Sequence, residues 1–339
     1  MQAAFYEGHE LITVGPCSPL TPGPGQVQIC VSHCGICGTD LHIFHGKMDH
    51  RVKFPQIVGH EMSGLITAVG DGAGQWKPGD RVTVRPLDPC GNCPACANGH
   101  SHICMNLKFI GIDTPGAMQG LWTVPAHTLH RLPENLSFEH AAMIEPVAVA
   151  CHDVRLGELK AGEFAVVLGG GPIGILIALV ARATGASVLV SELNPFRLEL
   201  ARSLGLEAVD PRAVDLPALV NSRTGGAGAD IVFEVTGAAP AVELMTKLPR
   251  VRGRMVMVAI HGQPAPVDLF KFFWRELKLI GARVYEPRDF ERAIELAAAQ
   301  SLPLDRLITK VVPLEGLAGA FRDMESGGAV MKILVRCSE

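Results

Sequence analysis

Residues 26–32, Gln-Val-Gln-Ile-Cys-Val-Ser, alternate polar and apolar at nearly every step, which predicts a strand with one face buried. Pro22-Gly23-Pro24-Gly25 supplies the turn before it. Further short strands are predicted at 63–69 and 81–84, with Lys77-Pro78-Gly79-Asp80 turning between them. Short strands with frequent Gly and Pro turns predict a compact, mostly β, barrel-like first domain. From Ser137, an N-cap by residue type, the pattern turns helical and predicts a helix as far as Glu145. Pro146 disfavours helical geometry in the residue before it, so a break is expected at Glu145.

Beyond residue 146 the rhythm changes. Apolar runs at 163–168, 187–190, 230–237, 253–260 and 277–281 read as buried strands separated by helical patterns, the first of which runs to Ala183. That alternation predicts a doubly wound sheet. A helix at 287–300, apolar residues at 311–314, a helix near 317–324 and a last strand at 332–335 close the chain.

Composition narrows the function classes. Of 339 residues, 48% are hydrophobic and 19% charged, an ordinary globular balance. A net charge of −4 gives no reason to expect nucleic acid or an anionic membrane as partner. The most apolar stretch, 173–183, is short and follows a glycine loop, so it reads as a buried helix rather than a membrane span. No signal peptide is visible at the N-terminus. Without one, the two CxxC-type clusters among the ten cysteines read as metal sites rather than disulfides, and the expected location is cytoplasmic.

Three clusters carry chemistry. Cys90-x2-Cys93-x2-Cys96-x7-Cys104 places four thiols within fifteen residues, interleaved with Gly91, Pro94 and Gly99. That suits a closed, tetrahedral zinc, with an iron–sulfur cluster as the alternative. His100 and His102 inside the loop read as solvated. The second cluster is Cys34-Gly35-Ile36-Cys37-Gly38-Thr39-Asp40-Leu41-His42 with Gly59-His60-Glu61 downstream. A thiol, an imidazole and carboxylates in loops suit an open, catalytic zinc. Asp40 has two readings: a carboxylate accepting from a ligand histidine's other nitrogen, or a helix cap. In the third cluster the run 163–168 meets Gly169-Gly170-Gly171-Pro172-Ile173-Gly174, followed by a helical pattern, a second strand and Glu192. A GxGxxG between strand and helix, with an acid about twenty residues on, is the dinucleotide-binding context. Glu192 would accept the ribose hydroxyls of NAD, while Arg197 could contact a phosphate and favour NADP.

Together these motifs resemble the zinc-dependent medium-chain dehydrogenases of the alcohol dehydrogenase superfamily, in the sorbitol, 2,3-butanediol and threonine dehydrogenase branch. The resemblance runs from near residue 1 to residue 337. It implies an α/β fold in three segments: a GroES-like, β-rich catalytic domain at 1–147 with a structural-zinc lobe at about 88–106, a Rossmann NAD-binding domain at 148–283, and a C-terminal return to the catalytic domain at 284–339. It implies two zinc ions per subunit. Cys90, Cys93, Cys96 and Cys104 hold the structural one. The catalytic one takes Cys37 rather than Cys34, then His60 and one or both of Glu61 and Glu145, because Glu145-Pro146-Val147-Ala148-Val149 resembles the Glu-Pro segment that supplies a carboxylate in polyol and butanediol enzymes.

Thr39 and His42 take the place of a proton relay, and Glu61 is counted with them in the catalytic set. Gly169, Gly171, Ile173, Gly174, Glu192 and Arg197 fall on the cofactor-binding positions, with Val258, Ile260 and Arg283 near the nicotinamide. Arginine at the Arg197 offset also occurs in NAD-dependent polyol enzymes, so NAD is expected rather than NADP. Ile43, Phe44 and Met118 are apolar candidates for the substrate pocket. The implied activity is hydride transfer between NAD and a secondary alcohol, a polyol or vicinal diol. L-threonine 3-dehydrogenase is the alternative within the class. A non-catalytic nucleotide-binding protein is the alternative outside it, and relatives of that kind should lack the metal ligands kept here. A small alcohol is the expected partner, without nucleic acid or membrane, in a homo-oligomer of two or four chains.

Overall fold

The alternating segment at 26–32 becomes the spine of a seven-stranded sheet. The structure, a computed structural model, describes residues 1–338. The strand Gln26–Gly35 lies at the centre of that sheet, antiparallel to Glu61–Val69 on one side and to Lys332–Arg336 and Leu121–Pro125 on the other registers. Arg81–Val84 and Leu129–Arg131 extend it beyond Glu61–Val69, and Ile308–Pro313 beyond Lys332–Arg336. Residues from the two ends of the chain therefore meet in one sheet. Val27, Ile29 and Val31 point inward and are fully buried, as the alternation requires. A three-stranded sheet of Gln2–Tyr6, Ile12–Pro16 and Gln56–Ile57 belongs to the same unit.

The second sheet has six strands, in the order Glu207–Val209, Ser187–Ser191, Phe164–Leu168, Ala229–Glu234, Pro249–Met257, Lys278–Gly281, and every pairing is parallel. In chain order this is 3-2-1-4-5-6, the doubly wound arrangement whose ligand crevice opens at the carboxyl ends of the first and fourth strands. Val166, Leu189, Val232 and Met255 make its buried core. The chain divides into two compact units, Met1–Glu145 with the segment from Glu286 onward, and Pro146–Tyr285. No helix among the described residues is long and apolar enough to cross a membrane.

The helix expected from Ser137 to Glu145 is two helices. Ser137 caps the first, accepting from the His140 N–H at 3.1 Å, but that helix spans only Phe138–Ala141. A second begins at Ile144 and runs to Leu156. The break therefore precedes Glu145, which lies in the first turn of the new helix. Proline is tolerated there because the first four N–H groups of a helix have no intrahelical partner to lose.

Candidate active site and metal centres

The strand Gln26–Gly35 delivers Cys37 to the start of the helix Gly38–Phe44, and Glu61–Val69 delivers Glu61 immediately after His60. The ligand atoms of Cys37, His60 and Glu61 all lie within 4.8 Å of one another. His60 and Glu61 are almost fully buried, at 2% and 1% exposure. Gly59 makes this approach feasible: with φ of 96°, it leaves room where a Cβ would come within 2.8 Å of the Cys34 sulfur and 2.7 Å of Met118. Cys34 stays outside the cluster, fully buried, and burial pushes its thiol well above the ordinary range.

Asp40 meets the helix-cap reading, while its other oxygen faces His60 from beyond hydrogen-bond distance. Its Oδ2 accepts from the Cys37 N–H at 2.9 Å, closing the N-terminus of the helix, while Oδ1 stands 3.6 Å from His60 Nδ1. Burial raises the Asp40 carboxyl, partly offset by His60 and by the Cys37 N–H. For His60, burial alone would lower the pKa, but Asp40 and the Cys37 sulfur outweigh it and hold the imidazole well above its ordinary value. Glu145, 5% exposed, also contributes to that rise. A buried histidine surrounded by anionic groups that strengthen its hold on a proton marks a site short of a cation. The donor set, one sulfur, one imidazole and one or two carboxylates, suits a zinc with an open position.

One partner of this cluster carries no signal in the sequence. Lys332 opens the last strand of the seven-stranded sheet, is 2% exposed, and forms an ion pair with Glu61 Oε2. Desolvation by itself lowers the lysine's pKa, but Glu61, then Cys37 and Glu145, more than reverse that and raise it. Nothing local marks Lys332, because its counter-ions come from residues about 190 to 295 positions away in the chain.

Thr39 and His42 are three residues apart on the Gly38–Phe44 helix and share a face. Burial, then Lys47 and His45, lower the His42 pKa below the ordinary 6.5, so the imidazole is neutral at pH 7 and free to accept a proton. Ile43, Phe44 and Met118 are all buried, and Phe44 stacks on Phe321 at 5.0 Å.

The four-cysteine lobe is built locally. Cys93 caps the short helix Pro94–Ala97, and the chain returns through Ser101–Ile103 to Cys104. Neighbouring sulfurs are 3.4 Å (Cys104–Cys90), 3.5 Å (Cys93–Cys96) and 3.8 Å (Cys93–Cys104) apart. Bonds of about 2.3 Å from a central zinc would set tetrahedral sulfurs roughly 3.8 Å apart, so the cage fits one ion and is too small for a multi-iron cluster. Backbone N–H groups of Cys96 and Met105 pull the Cys93 thiol down to about 6, while burial and the adjoining thiols push Cys96 up to about 12. His100 is exposed as expected. His102 is not: it is 7% exposed, because the turn Ser101–Ile103 folds it inward.

In the other unit the glycine loop joins the strand Phe164–Leu168 to the helix Pro172–Ala183, with Gly171 as N-cap. A Cβ on Gly174 would lie 1.9 Å from the Gly169 oxygen, and Gly169 itself has φ of 105°, so strand and helix can meet only through glycines. Glu192, just past the second strand, accepts from the N–H groups of Gly170 (2.7 Å), Leu193 (2.6 Å) and Asn194 (2.7 Å). The Arg197 guanidinium lies beside Gly171, and its Nε has no partner. This cradle of open backbone at a helix N-terminus fits a dinucleotide pyrophosphate. Val258 and Ile260 follow the strand Pro249–Met257 in a loop, with Ile260 76% exposed, and Arg283 is exposed beyond Lys278–Gly281.

Comparison with known families agrees with both units. The Alcohol dehydrogenase GroES-like domain matches residues 23–134, and the Zinc-binding dehydrogenase family matches 172–299. The chain belongs to the zinc-dependent medium-chain dehydrogenase family. The 2-dehydro-3-deoxy-L-galactonate 5-dehydrogenase of Pseudoalteromonas atlantica is 52% identical to this dehydrogenase over 338 residues, 100% of this chain and 99% of that protein. A sorbitol dehydrogenase of Halalkalibacterium halodurans is 33% identical, covering 93% and 92%. Among solved structures, a Sinorhizobium meliloti protein described as a zinc-binding dehydrogenase and bound to NADP superposes with a TM-score of 0.93 at 32% identity, covering 99% and 98%. The 2R,3R-butanediol dehydrogenase of Bacillus subtilis gives 0.91 at 32% identity, covering 99% of each chain. The GroES-like and Rossmann folds expected from the sequence are therefore those of this dehydrogenase.

Proposed function

We propose that this dehydrogenase moves a hydride between NAD and a secondary alcohol of a polyol, sugar acid or vicinal diol. The observation that carries the reading is the convergence of half-buried Cys37 with buried His60 and Glu61. Cys37 and His60, with Glu61 or Glu145 as the carboxylate, would hold a zinc, which would supply Lewis-acid polarisation of the alcohol oxygen. Asp40, 3.6 Å from His60 Nδ1, is placed to orient the ring. Thr39 takes up the hydroxyl proton and His42, neutral at pH 7, passes it to solvent. With a dinucleotide in the glycine-loop cradle, its nicotinamide would take up the hydride that the carbinol carbon loses, leaving a ketone.

NAD is favoured over NADP because Glu192 lies against the glycine loop, where a carboxylate accepts ribose hydroxyls and repels a 2′-phosphate. Arg197 beside Gly171 is the feature that would favour NADP, the cofactor of the S. meliloti protein. The relatives are named for polyols, a sugar acid and a diol, which favours those substrates over L-threonine. Residues 90–104 hold a second, structural zinc. The chain works as a homo-oligomer: the helix Leu269–Arg275 leaves Phe270, Phe273 and Trp274 66–78% exposed, next in sequence to the edge strand Lys278–Gly281, whose outer side has no partner strand among the described residues, and such surface calls for a protein partner.

The test is NADH formation by zinc-loaded protein against sugar alcohols, sugar acids, vicinal diols and L-threonine, with a chelated sample alongside. Chelator-sensitive activity on polyols, sugar acids or diols is expected. Activity confined to threonine, or unaffected by removal of all metal, would overturn the reading.

A further inference from the structure

Glu61 and Lys332 meet across a glycine. In the seven-stranded sheet Gly35 is paired with Glu61 on one side and with Leu334 on the other, and the Ile36 N–H donates to the Ile333 oxygen at 3.0 Å. The two charged side chains therefore arise from strands on opposite sides of Gln26–Gly35 and close over it. A Cβ at Gly35 would fall 2.2 Å from Glu61 Oε2 and 3.0 Å from Lys332 Cε, so the ion pair occupies the space that a side chain would take. Both partners are buried, at 3% and 1% side-chain exposure.

A buried carboxylate without a counter-charge is costly. Beside an open metal site it has one obvious remedy, which is to become a full ligand and fill the position that substrate needs. Lys332 provides the other remedy. We propose that Lys332 is a positioning residue that holds the Glu61 carboxylate in competition with the metal, so that Glu61 stays a displaceable ligand and a coordination position remains open to the alcohol. This rests on the zinc reading of Cys37 and His60 given above.

Cobalt exchanged for the ion at the Cys37–His60 site, with zinc kept in the four-cysteine lobe, reports coordination number through its visible bands without any turnover. In Lys332→Met the released Glu61 moves onto the metal. The bands then weaken and shift, and competition with a chelator shows binding about tenfold tighter, the scale on which residues behind a ligand alter metal affinity. kcat/KM for the alcohol falls in parallel. In Lys332→Met/Glu61→Gln the released carboxylate is gone, Glu145 keeps the role it has in the wild type, and the bands return to the wild-type form. Lys332→Arg keeps the charge and the wild-type bands, and it serves where the methionine variant folds poorly.

A structural brace alone would lower stability and leave the bands unchanged. Unchanged bands in folded Lys332→Met, or altered bands in Lys332→Arg or in the double variant, overturn the proposal and leave the zinc reading standing. Absence of cobalt bands from the wild-type Cys37–His60 site overturns both.

Discussion

The four-cysteine lobe and the Cys37 cluster lie in one unit, but the donors of the first fall within fifteen residues and those of the second span 37 to 145, with Lys332 behind them. The lobe closes on itself: sulfurs hold the cage, and backbone N–H groups of Cys90 and Asn106 donate to Cys104 at 3.3 Å each. The mixed cluster is closed by the sheet, which brings three strand ends to one place. One site is therefore an element of local stability and the other a product of the whole unit's topology. They should respond differently to the same kind of damage.

That contrast can be broken by substitution. Cys37→Ala should lower turnover by at least about 10³-fold, since it removes an interaction with the group on which the chemistry depends. Thermal unfolding of this variant, followed by circular dichroism, should remain within a few degrees of wild type. Next in effect, His42→Gln should slow turnover on the order of 10²-fold by interrupting proton transfer. The sign of its pH dependence follows from the lowered pKa. The relay needs the neutral imidazole, so in the wild type activity falls with acid only below 6.5, and kcat/KM profiles of the variant should lack that limb.

Asp40→Asn should weaken metal retention at the mixed site by about tenfold or more, because the His60 ring loses its fixed partner. Dialysis against graded chelator would show it, and retention equal to wild type would remove Asp40 from the site. Cys104→Ala should leave turnover per folded molecule nearly unchanged while lowering the melting temperature by roughly 5 °C or more, as a structural zinc contributes folding energy directly. Loss of activity without loss of stability in that variant would erase the distinction between the two sites.

The same distinction explains what could be read from the chain. The four thiols and the glycine loop are local, and the clustering of each was legible because residues so close in sequence need no distant strand to bring them together. Strand 26–32 was legible from its alternation, though it continues to Gly35 and carries the motif with it. The break before Ile144 was misplaced, because a proline reads the same whether it ends one helix or opens the next. Burial of His102 depended on a turn with no periodic pattern.

Lys332 was out of reach: a lysine opening a terminal strand reads as an edge charge until the fold places a buried carboxylate against it. The helix Leu269–Arg275 shows the opposite case, apolar side chains whose placement no motif announces. Phe272 packs against the sheet core, while Leu269, Phe270, Phe273 and Trp274 are exposed on the surface of one chain.

The central claim is that one chain holds two metal ions in two separately built sites. Inductively coupled plasma mass spectrometry of wild type, Cys37→Ala and Cys104→Ala, each assayed for turnover in the same preparation, tests it most directly. The account predicts two zinc ions per wild-type chain and one in each variant, with activity lost only in Cys37→Ala. A wild-type chain with a single zinc, or a Cys37→Ala protein that keeps both ions, would contradict it.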